Sequence, residues 1–522
     1  MSYQEPVLDS FDIQANISPG LNLPYQLFIG LAGSAEELKN ALKYLAPKVT
    51  SMQEAYEYHK ERKSLSAKAN LFGVRSFMLM GENNATWFNI AFGRKFLYDM
   101  GYENAVFQNS SFHTGMYERS PHLGDSRNPD DKGHRKNWEF GTPESEVDLF
   151  IIVAAVNKES LIIELNLIED KFRSLIICKN FGQRLPNDTE HFGFQDGISQ
   201  PKIRGYVYND GESYLSPRKM AVDTGGPEYA SPGAPLIWPG EFIFGYPNQD
   251  PNNFRKPASS PVLSEQDEKI LKNGSFLVVR KLVQDVAAFY DTTDAMSAQL
   301  QTKEGFEDYT PDYLRAKLIG RFKNGSPLVR NDKTDVENSP HSVNHFNFNE
   351  STPAVRLTNG DVVEGCEGDF LGQKCPMFAH IRKVNPRDLS TDQGSSTNTL
   401  KFKVMRRGVP FGPLYDFNDR NNPVNNEKRG LFFLCYQTSI ENQFELLQNR
   451  WVNSPVNPEE NKGFDMVLGN NNATRSKEIW CQIENENFRS EKLTTVNNYV
   501  HASGGQYFFT PSVTLIRSMV KS

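Results

Sequence analysis

The sequence predicts an α+β fold with helices laid on one face of a sheet, and three patterns predict it. Short apolar runs of strand length recur along the chain, each is followed by apolar residues at helical spacing, and the second half repeats this grammar after a loop-rich middle. Tyr25–Leu31 (YQLFIGL) is the first such run and reads as a buried strand. Ala35–Leu45 follows, with Leu38, Leu42 and Leu45 on one helical face after a Gly-Ser start suited to capping. Val147–Val156 (VDLFIIVAAV) is the second buried strand, and Lys158–Asp170 is its amphipathic helix.

Between about Asn209 and Pro261 the chain changes character. Gly, Pro, Ser and Asn crowd there, including Thr224-Gly225-Gly226-Pro227 and Asn248-Gln249-Asp250-Pro251, which makes the stretch loop or linker. A boundary placed there divides the chain into residues 1–222 and 223–522. Gly274–Val283 (GSFLVVRKLV) then reads as a strand and Gln284–Gln301 as a helix. Leu431–Gln437 (LFFLCYQ) is another buried strand, followed by a helix through Phe444, Leu447 and Trp451, and Gln506–Phe509 is the last strand.

The 522 residues are too many for one ordinary core. A content of 38% hydrophobic and 23% charged residues is that of a globular protein, and disorder is not indicated. Phe occurs 36 times and Tyr 20 times, which suits sheet cores and apolar cofactor pockets. The net charge of -7 leaves no basic excess to neutralise phosphates, so nucleic acid is excluded as a general partner. The start, MSYQEPVLDSFDIQ, has neither a basic nor an apolar signal region, and no run is long and apolar enough to span a membrane. The cysteines (Cys178, Cys366, Cys375, Cys435, Cys481) are scattered and odd in number, so neither a disulfide framework nor a zinc site is expected. A reduced, cytoplasmic protein is the plain expectation, and the sequon at Asn84-Ala85-Thr86 then carries little weight.

Candidate chemistry lies in three segments. Gly193-Phe194-Gln195-Asp196-Gly197 sets an aspartate between glycines; it reads first as a turn, and more sharply as a loop presenting a carboxylate to a flat cofactor. His380 is followed by Arg382, Lys383 and Arg387; a lone histidine is more often structural, yet an imidazole flanked by cations suits iron bound with acidic side groups. Met405-Arg406-Arg407-Gly408-Val409-Pro410 offers paired arginines before a Gly-Pro turn, where solvated charge is the ordinary reading. His341 and His345 stand in a Pro- and Asn-rich loop, with Ser342 where a zinc-protease helix needs glutamate.

The three segments occur together, in the order found in dye-decolourising peroxidases. GFQDGISQP resembles that family's Gly-x-x-Asp-Gly motif, AHIRKVNPR its haem-ligand segment and MRRGVPFG its distal-arginine segment. Flanking matches (DIQANI, PGEFIFGYP, GSFLVVRKL, AKLIGRFKNGSPL, RGLFFLCYQ and GGQYFFTPS) extend the resemblance over almost the whole chain, which is similar to the longer bacterial and fungal members.

The resemblance implies two ferredoxin-like domains with antiparallel sheets, and one haem b per chain in a pocket of the C-terminal domain. His380 matches the axial ligand of the haem iron, Asp196 the distal acid-base residue, and Arg406 the distal arginine, with Arg407 in its place if the register differs by one. Leu431 and Phe433 match apolar residues over the distal face, while Arg382, Arg387 and Gly197 are further cofactor-binding candidates. The implied reaction reduces hydrogen peroxide and oxidises anthraquinone or azo dyes and phenols in one-electron steps, through a ferryl porphyrin-radical intermediate. Trp451 matches a position proposed as an electron relay in the family, but reads first as an ordinary helix-packing tryptophan, whereas Phe411 stands where some members carry a redox-active Tyr. A monomer or homodimer is expected. A haem-handling protein, for storage, delivery or iron release, also needs His380, but only a peroxidase has a strong use for Asp196 together with Arg406. An iron-free adaptor on the same fold would tolerate loss of His380, so its presence argues against one.

Overall fold

Alternation decides how the first strand is buried. In β1 (Tyr25–Leu31), Leu27, Ile29 and Leu31 face one way and pack under helices, while Phe28 faces the other and joins a second cluster. Both faces are therefore covered, which is why the segment reads as a continuous apolar run. Ser34 caps helix α1 (Ala35–Leu45) through a reciprocal box with Glu37, and Leu38, Ala41, Leu42 and Leu45 turn inward. In this computed structural model the residues described are 3–72, 86–102, 110–207, 213–221, 228–258, 264–336, 340–459, 463–469, 475–484, 487–495 and 497–521. Asn84 and Ala85 of the sequon, Thr224–Pro227 and the side chain of Cys481 lie outside them.

Helix α2 (Met52–Phe72) precedes β2 (Thr86–Phe92), and β3 (Leu149–Ala155), α3 (Lys158–Phe172) and β4 (Ile176–Gln183) complete the first block. The second block supplies β5 (Ser275–Gln284), helices α4 (Val286–Leu300) and α5 (Pro311–Ile319), and the short helix α6 (His380–Val384). Strands β6 (Met405–Arg406), β7 (Val409–Phe411) and β8 (Gly430–Gln437) lead into a π-helix at Ile440–Val452. Strand β9 (Val500–Thr510) and helix α7 (Val513–Lys521) follow.

One nine-stranded sheet runs through both blocks in the order β6-β8-β5-β9-β2-β3-β1-β4, with β7 also on β8. All its neighbours are antiparallel, and the blocks join where Phe509 of β9 pairs with Phe92 of β2. The sheet curls until its far edges meet. A Cβ on Gly182 of β4 would stand 2.5 Å from Val409 Cγ1 of β7, so a glycine is what lets the edges touch. Inside the curl, Phe28, Phe150, Phe432 and Phe508 pack with Ile13, Ile17 and Leu21 of the N-terminal segment. Outside it lie α1, α3, α7 and the π-helix. A third cluster, with Phe289, Leu314, Phe346 and Phe378, builds a layer beyond the second block.

The expected α+β architecture with antiparallel strands is the one observed. Strands β2 and β4 and helices α2, α5 and α7 add to the elements read from the sequence. Strand β9 is longer than Gln506–Phe509, because Val500–Gly505 are also hydrogen-bonded to β5 although they carry little apolar pattern.

Candidate functional site

The cavity that gathers the predicted residues lies on the outer face of the second block. Its floor consists of the cross-strand pairs Arg280–Phe433 and Leu282–Leu431 of β5 and β8. The π-helix contributes Phe444, Leu447 and Val452, α6 contributes His380 and Ile381, and the glycine-flanked aspartate loop closes the remaining side. The volume is about 320 Å³.

His380 is the first residue of α6. Its Nδ1–H donates to Asp465 Oδ2 at 2.6 Å, and Asp465 is wholly buried. The backbone N–H groups of Val467 and Leu468 donate to the other oxygen of Asp465, both at 2.9 Å. Burial alone would raise the Asp465 carboxyl, but His380 and these N–H groups hold it below the usual range, so it is a fixed anion. That anion outweighs the burial that lowers His380 and makes its ring more basic than usual. The carboxylate occupies Nδ1, and among the described residues Nε2 has no hydrogen bond and is left to the cavity. A histidine so oriented by a carboxylate is the arrangement a metal ligand needs.

Asp196 and Arg406 face the same cavity. Gly193 (φ +90°) and Gly197 (φ +75°) make the loop's reversals in left-handed conformations that favour glycine. Arg406 Nη1 donates to Asp196 Oδ1 at 3.0 Å, Arg406 Nη2 to the Ser199 carbonyl at 3.0 Å, and the Gly197 N–H to Asp196 Oδ1 at 2.6 Å. Asp196 is enclosed by protein, yet 36% of its side chain is accessible because it borders open volume. Burial pushes its carboxyl upward, but Arg406 foremost, then the Gly197 N–H and His380, bring it below the ordinary value. Gln200 fixes the strand from the other side, donating to the Arg406 carbonyl at 3.2 Å and accepting from its N–H at 3.4 Å.

Three cations in the cavity wall are enclosed without a carboxylate. Arg321 donates to the carbonyls of Gly325 and Val343, both at 2.8 Å, and to Asn344 Oδ1 at 2.9 Å. Arg387 donates to the carbonyls of Asn344 and Phe346. The Lys403 ammonium donates to Asn385 Oδ1, its one hydrogen bond among the described residues. Burial accordingly lowers Arg321 to about 9, Arg387 to about 10 and Lys403 to about 7. Uncompensated buried charge is costly, so this wall calls for a ligand with negative groups. Glu190, also in the wall, accepts from the N–H groups of Phe192 and Phe194 at 2.9 Å each and from Gln284, and burial pushes it up to about 7.

Of the sequence candidates, His380, Asp196, Gly197, Arg387, Arg406, Leu431 and Phe433 all line this cavity. Arg382 does not. It is wholly buried in the opposite direction, against Glu459 and Asp369 and over the Phe348 ring. Trp451 is 1% exposed, donates to Asp392 Oδ1 at 2.9 Å and meets Phe402 edge-on. Arg407 donates to the carbonyls of Asn16 and Ile17, and among the described residues it makes no bond to Asp196. His341 is in a turn, and His345 Nε2 bonds the Pro353 carbonyl. Sequence reasoning missed Asp465, Gln200, Arg321 and Lys403. Gln200 and Arg321 sit in the matching segments GFQDGISQP and AKLIGRFKNGSPL, whereas nothing local marks Asp465 or Lys403.

Residues 12–180 match the family described as DyP dimeric alpha+beta barrel domain, and residues 314–466 match Dyp-type peroxidase, C-terminal. The chain belongs to the dye-decolorizing peroxidase family. This member is 28% identical over 360 residues to dye-decolorizing peroxidase msp1 of Mycetinis scorodonius, a match covering 65% of this chain and 59% of msp1, less than two thirds of that protein's length. It is 27% identical over 466 residues to Peroxidase 2 of the same fungus, covering 85% of this chain and 78% of that one. Among solved structures, an ancestral D-type dye decolorizing peroxidase superposes with a TM-score of 0.73 at 27% identity, over 98% of this chain and 99% of that chain. Among the described residues no helix is long and apolar enough to cross a membrane, and no cluster of three metal-ligating side chains occurs. The iron of a haem peroxidase needs no such cluster, since the porphyrin supplies the other donors.

Proposed function

We propose that this dye-decolorizing peroxidase binds one haem b in the cavity described and uses it to reduce hydrogen peroxide while oxidising organic molecules, dyes and phenols among them, by one-electron steps. The observation that carries this reading is that His380, held by Asp465, and the Asp196–Arg406 pair border one cavity. Haem fits the residues present. Nε2 of His380 would bind the iron, apolar Leu431, Phe433 and Phe444 would cover the ring, and Arg321, Arg387 and Lys403 would meet its two carboxylates. The bound haem supplies the redox chemistry.

The chain's own residues move the proton and hold the charge. Asp196 is ionised at rest and accepts a proton from the peroxide oxygen nearer the haem; it then returns that proton to the oxygen that leaves as water. Arg406 supplies fixed positive charge beside the separating oxygens and keeps Asp196 ionised. Asp465 keeps the His380 ring oriented and electron-rich. We assign the halves as residues 1–222, carrying the aspartate loop, and 223–522, carrying His380 and Arg406, supported by the two strand blocks of the sheet.

The test is stopped-flow absorbance of haem-loaded protein mixed with one equivalent of peroxide, for wild type, Asp196→Asn, Arg406→Leu and His380→Ala. A fast spectral change in wild type, slowed greatly in the distal variants, with haem lost from His380→Ala, is expected. Equal slow bleaching in every haem-binding form would replace the peroxidase reading with haem handling.

A further inference from the structure

Helix α6 reaches the loop that carries Asp465 in two places. His380 meets Asp465 itself, at 2.6 Å. Lys383, one turn further along α6, meets the backbone of the loop. It is wholly buried, and its Nζ donates to the carbonyls of Ser454 at 2.7 Å, Gly463 at 2.6 Å and Asn457.

Those carbonyls stand on both limbs of the loop. Ser454 and Asn457 belong to the limb that leaves the π-helix, and Gly463 to the limb that returns to Asp465 two residues later. The limbs also bond each other, through the Gly463 N–H on the Pro455 carbonyl at 2.7 Å and the Asp465 N–H on the Val452 carbonyl at 3.2 Å. Carbonyl oxygens turned toward one point repel one another. A cation placed among them replaces that repulsion with three charge-assisted hydrogen bonds, so the ammonium holds the limbs together.

The bond between Asp465 and His380 depends on where that loop stands. A displacement of about 0.5 Å is enough to spoil a short, aligned hydrogen bond at a site of this kind. The Val467 and Leu468 N–H groups hold the carboxylate from the far side of Asp465 in sequence, and the lysine holds the chain that leads into it. Arg382 plays another part, joining Glu459 of the loop at 3.1 Å to the Asp369 and Phe370 carbonyls at 2.7 and 3.0 Å.

We propose that Lys383 is a positioning residue for the haem ligand: its ammonium closes the loop so that Asp465 sits within hydrogen-bonding reach of His380. Among the described residues Lys383 is not part of the cavity lining, so it acts through Asp465. The inference rests on the reading of His380 as the ligand of the haem iron.

Haem-loaded wild type, Lys383→Met, Asp465→Asn and the double variant are compared by resonance Raman scattering of the ferrous form, which reads the iron–imidazole stretch, and by redox titration. Asp465→Asn lowers the stretching frequency, because the ring loses its anionic partner. Lys383→Met moves the band in the same direction, makes the iron easier to reduce and slows the reaction with peroxide about tenfold. The double variant matches Asp465→Asn alone, because both changes act through one bond. Lys383→Ala prepared in propylammonium, which supplies the missing stem and cation, recovers the wild-type band and loses it on dialysis; this variant carries the test where Lys383→Met does not fold. A band unmoved in Lys383→Met, a double variant in which the two shifts simply add, or a Lys383→Ala band indifferent to propylammonium overturns the proposal, since a lysine that only stabilises the fold changes the melting temperature and leaves the band in place. Absence of the iron–imidazole band from wild type removes the reading of His380 as ligand instead.

Discussion

Asp465 accepts the Nδ1 proton of His380 at 2.6 Å from a position 85 residues further along the chain. The bond fixes the ring's tautomer and leaves Nε2 to the cavity, where the iron of the proposed haem would bind. Asp465→Asn removes the charge while keeping a hydrogen-bonding group. Haem still binds, its iron becomes easier to reduce, and peroxidase activity falls about 10–100-fold. Redox titration of the Soret band checks the potential and stopped-flow absorbance the rate.

Arg406 sets both the charge and the pH range of the distal side. As the proposed base, Asp196 works only when ionised, so its function is present above its pKa and lost as pH falls through it. Because Arg406 lowers that pKa, Arg406→Leu raises it, and the acid limb of the rate of reaction with peroxide moves to higher pH. The maximal rate also falls about 10²–10³-fold, through loss of charge stabilisation. A pH profile of the bimolecular rate constant in wild type and variant separates the two effects; an unmoved limb counts against Asp196 as the base.

Lys403 stands at about 7 in the haem-free protein, so it is mostly neutral in mildly alkaline solution. A carboxylate of the proposed haem beside it would favour the ammonium and raise the pKa. Haem binding at about pH 8 is therefore accompanied by proton uptake, which diminishes as the pH falls below 7. Lys403→Met abolishes the uptake and weakens haem binding. Calorimetry in buffers of different ionisation enthalpy measures the protons taken up.

Arg382 has a different consequence from its neighbour in sequence, Arg387. Its guanidinium is wholly buried between Glu459 and Asp369, so Arg382→Met strands two acids and destabilises the fold by about 3–5 kcal/mol. Haem content per folded molecule is unchanged, whereas Arg387→Leu loses haem and costs less stability. Thermal unfolding with a haem assay on the folded fraction distinguishes them.

These assignments mark what the sequence discloses. Strands such as Tyr25–Leu31 and Leu149–Ala155 are legible because both faces are buried and the apolar run is unbroken. Strand Ile176–Gln183 is not, since it forms one lip of the curled sheet and exposes Lys179, Phe181 and Gln183 at alternate positions. His380, Asp196 and Arg406 are legible through local motifs. Asp465 and Lys403 are not, because their roles come from partners that only folding brings near. Arg382 and Arg387 look alike in sequence, and only the direction each takes from α6 and the loop beyond separates an anchor of the core from a wall of the cavity.

The adjacent arginines Arg406 and Arg407 have different partners, one bonded to Asp196 and the other to the carbonyls of Asn16 and Ile17. Strand β6 ends at Arg406, so the pairing with β8 settles which of the two guanidinium groups meets the aspartate. A slip of one in this pairing would put Met405 or Arg407 where Arg406 stands, so Asp196 keeps its partner only while Arg406 stays opposite Cys435. The register of Met405–Arg406 on β8 is thereby as much a part of the site as the guanidinium it places.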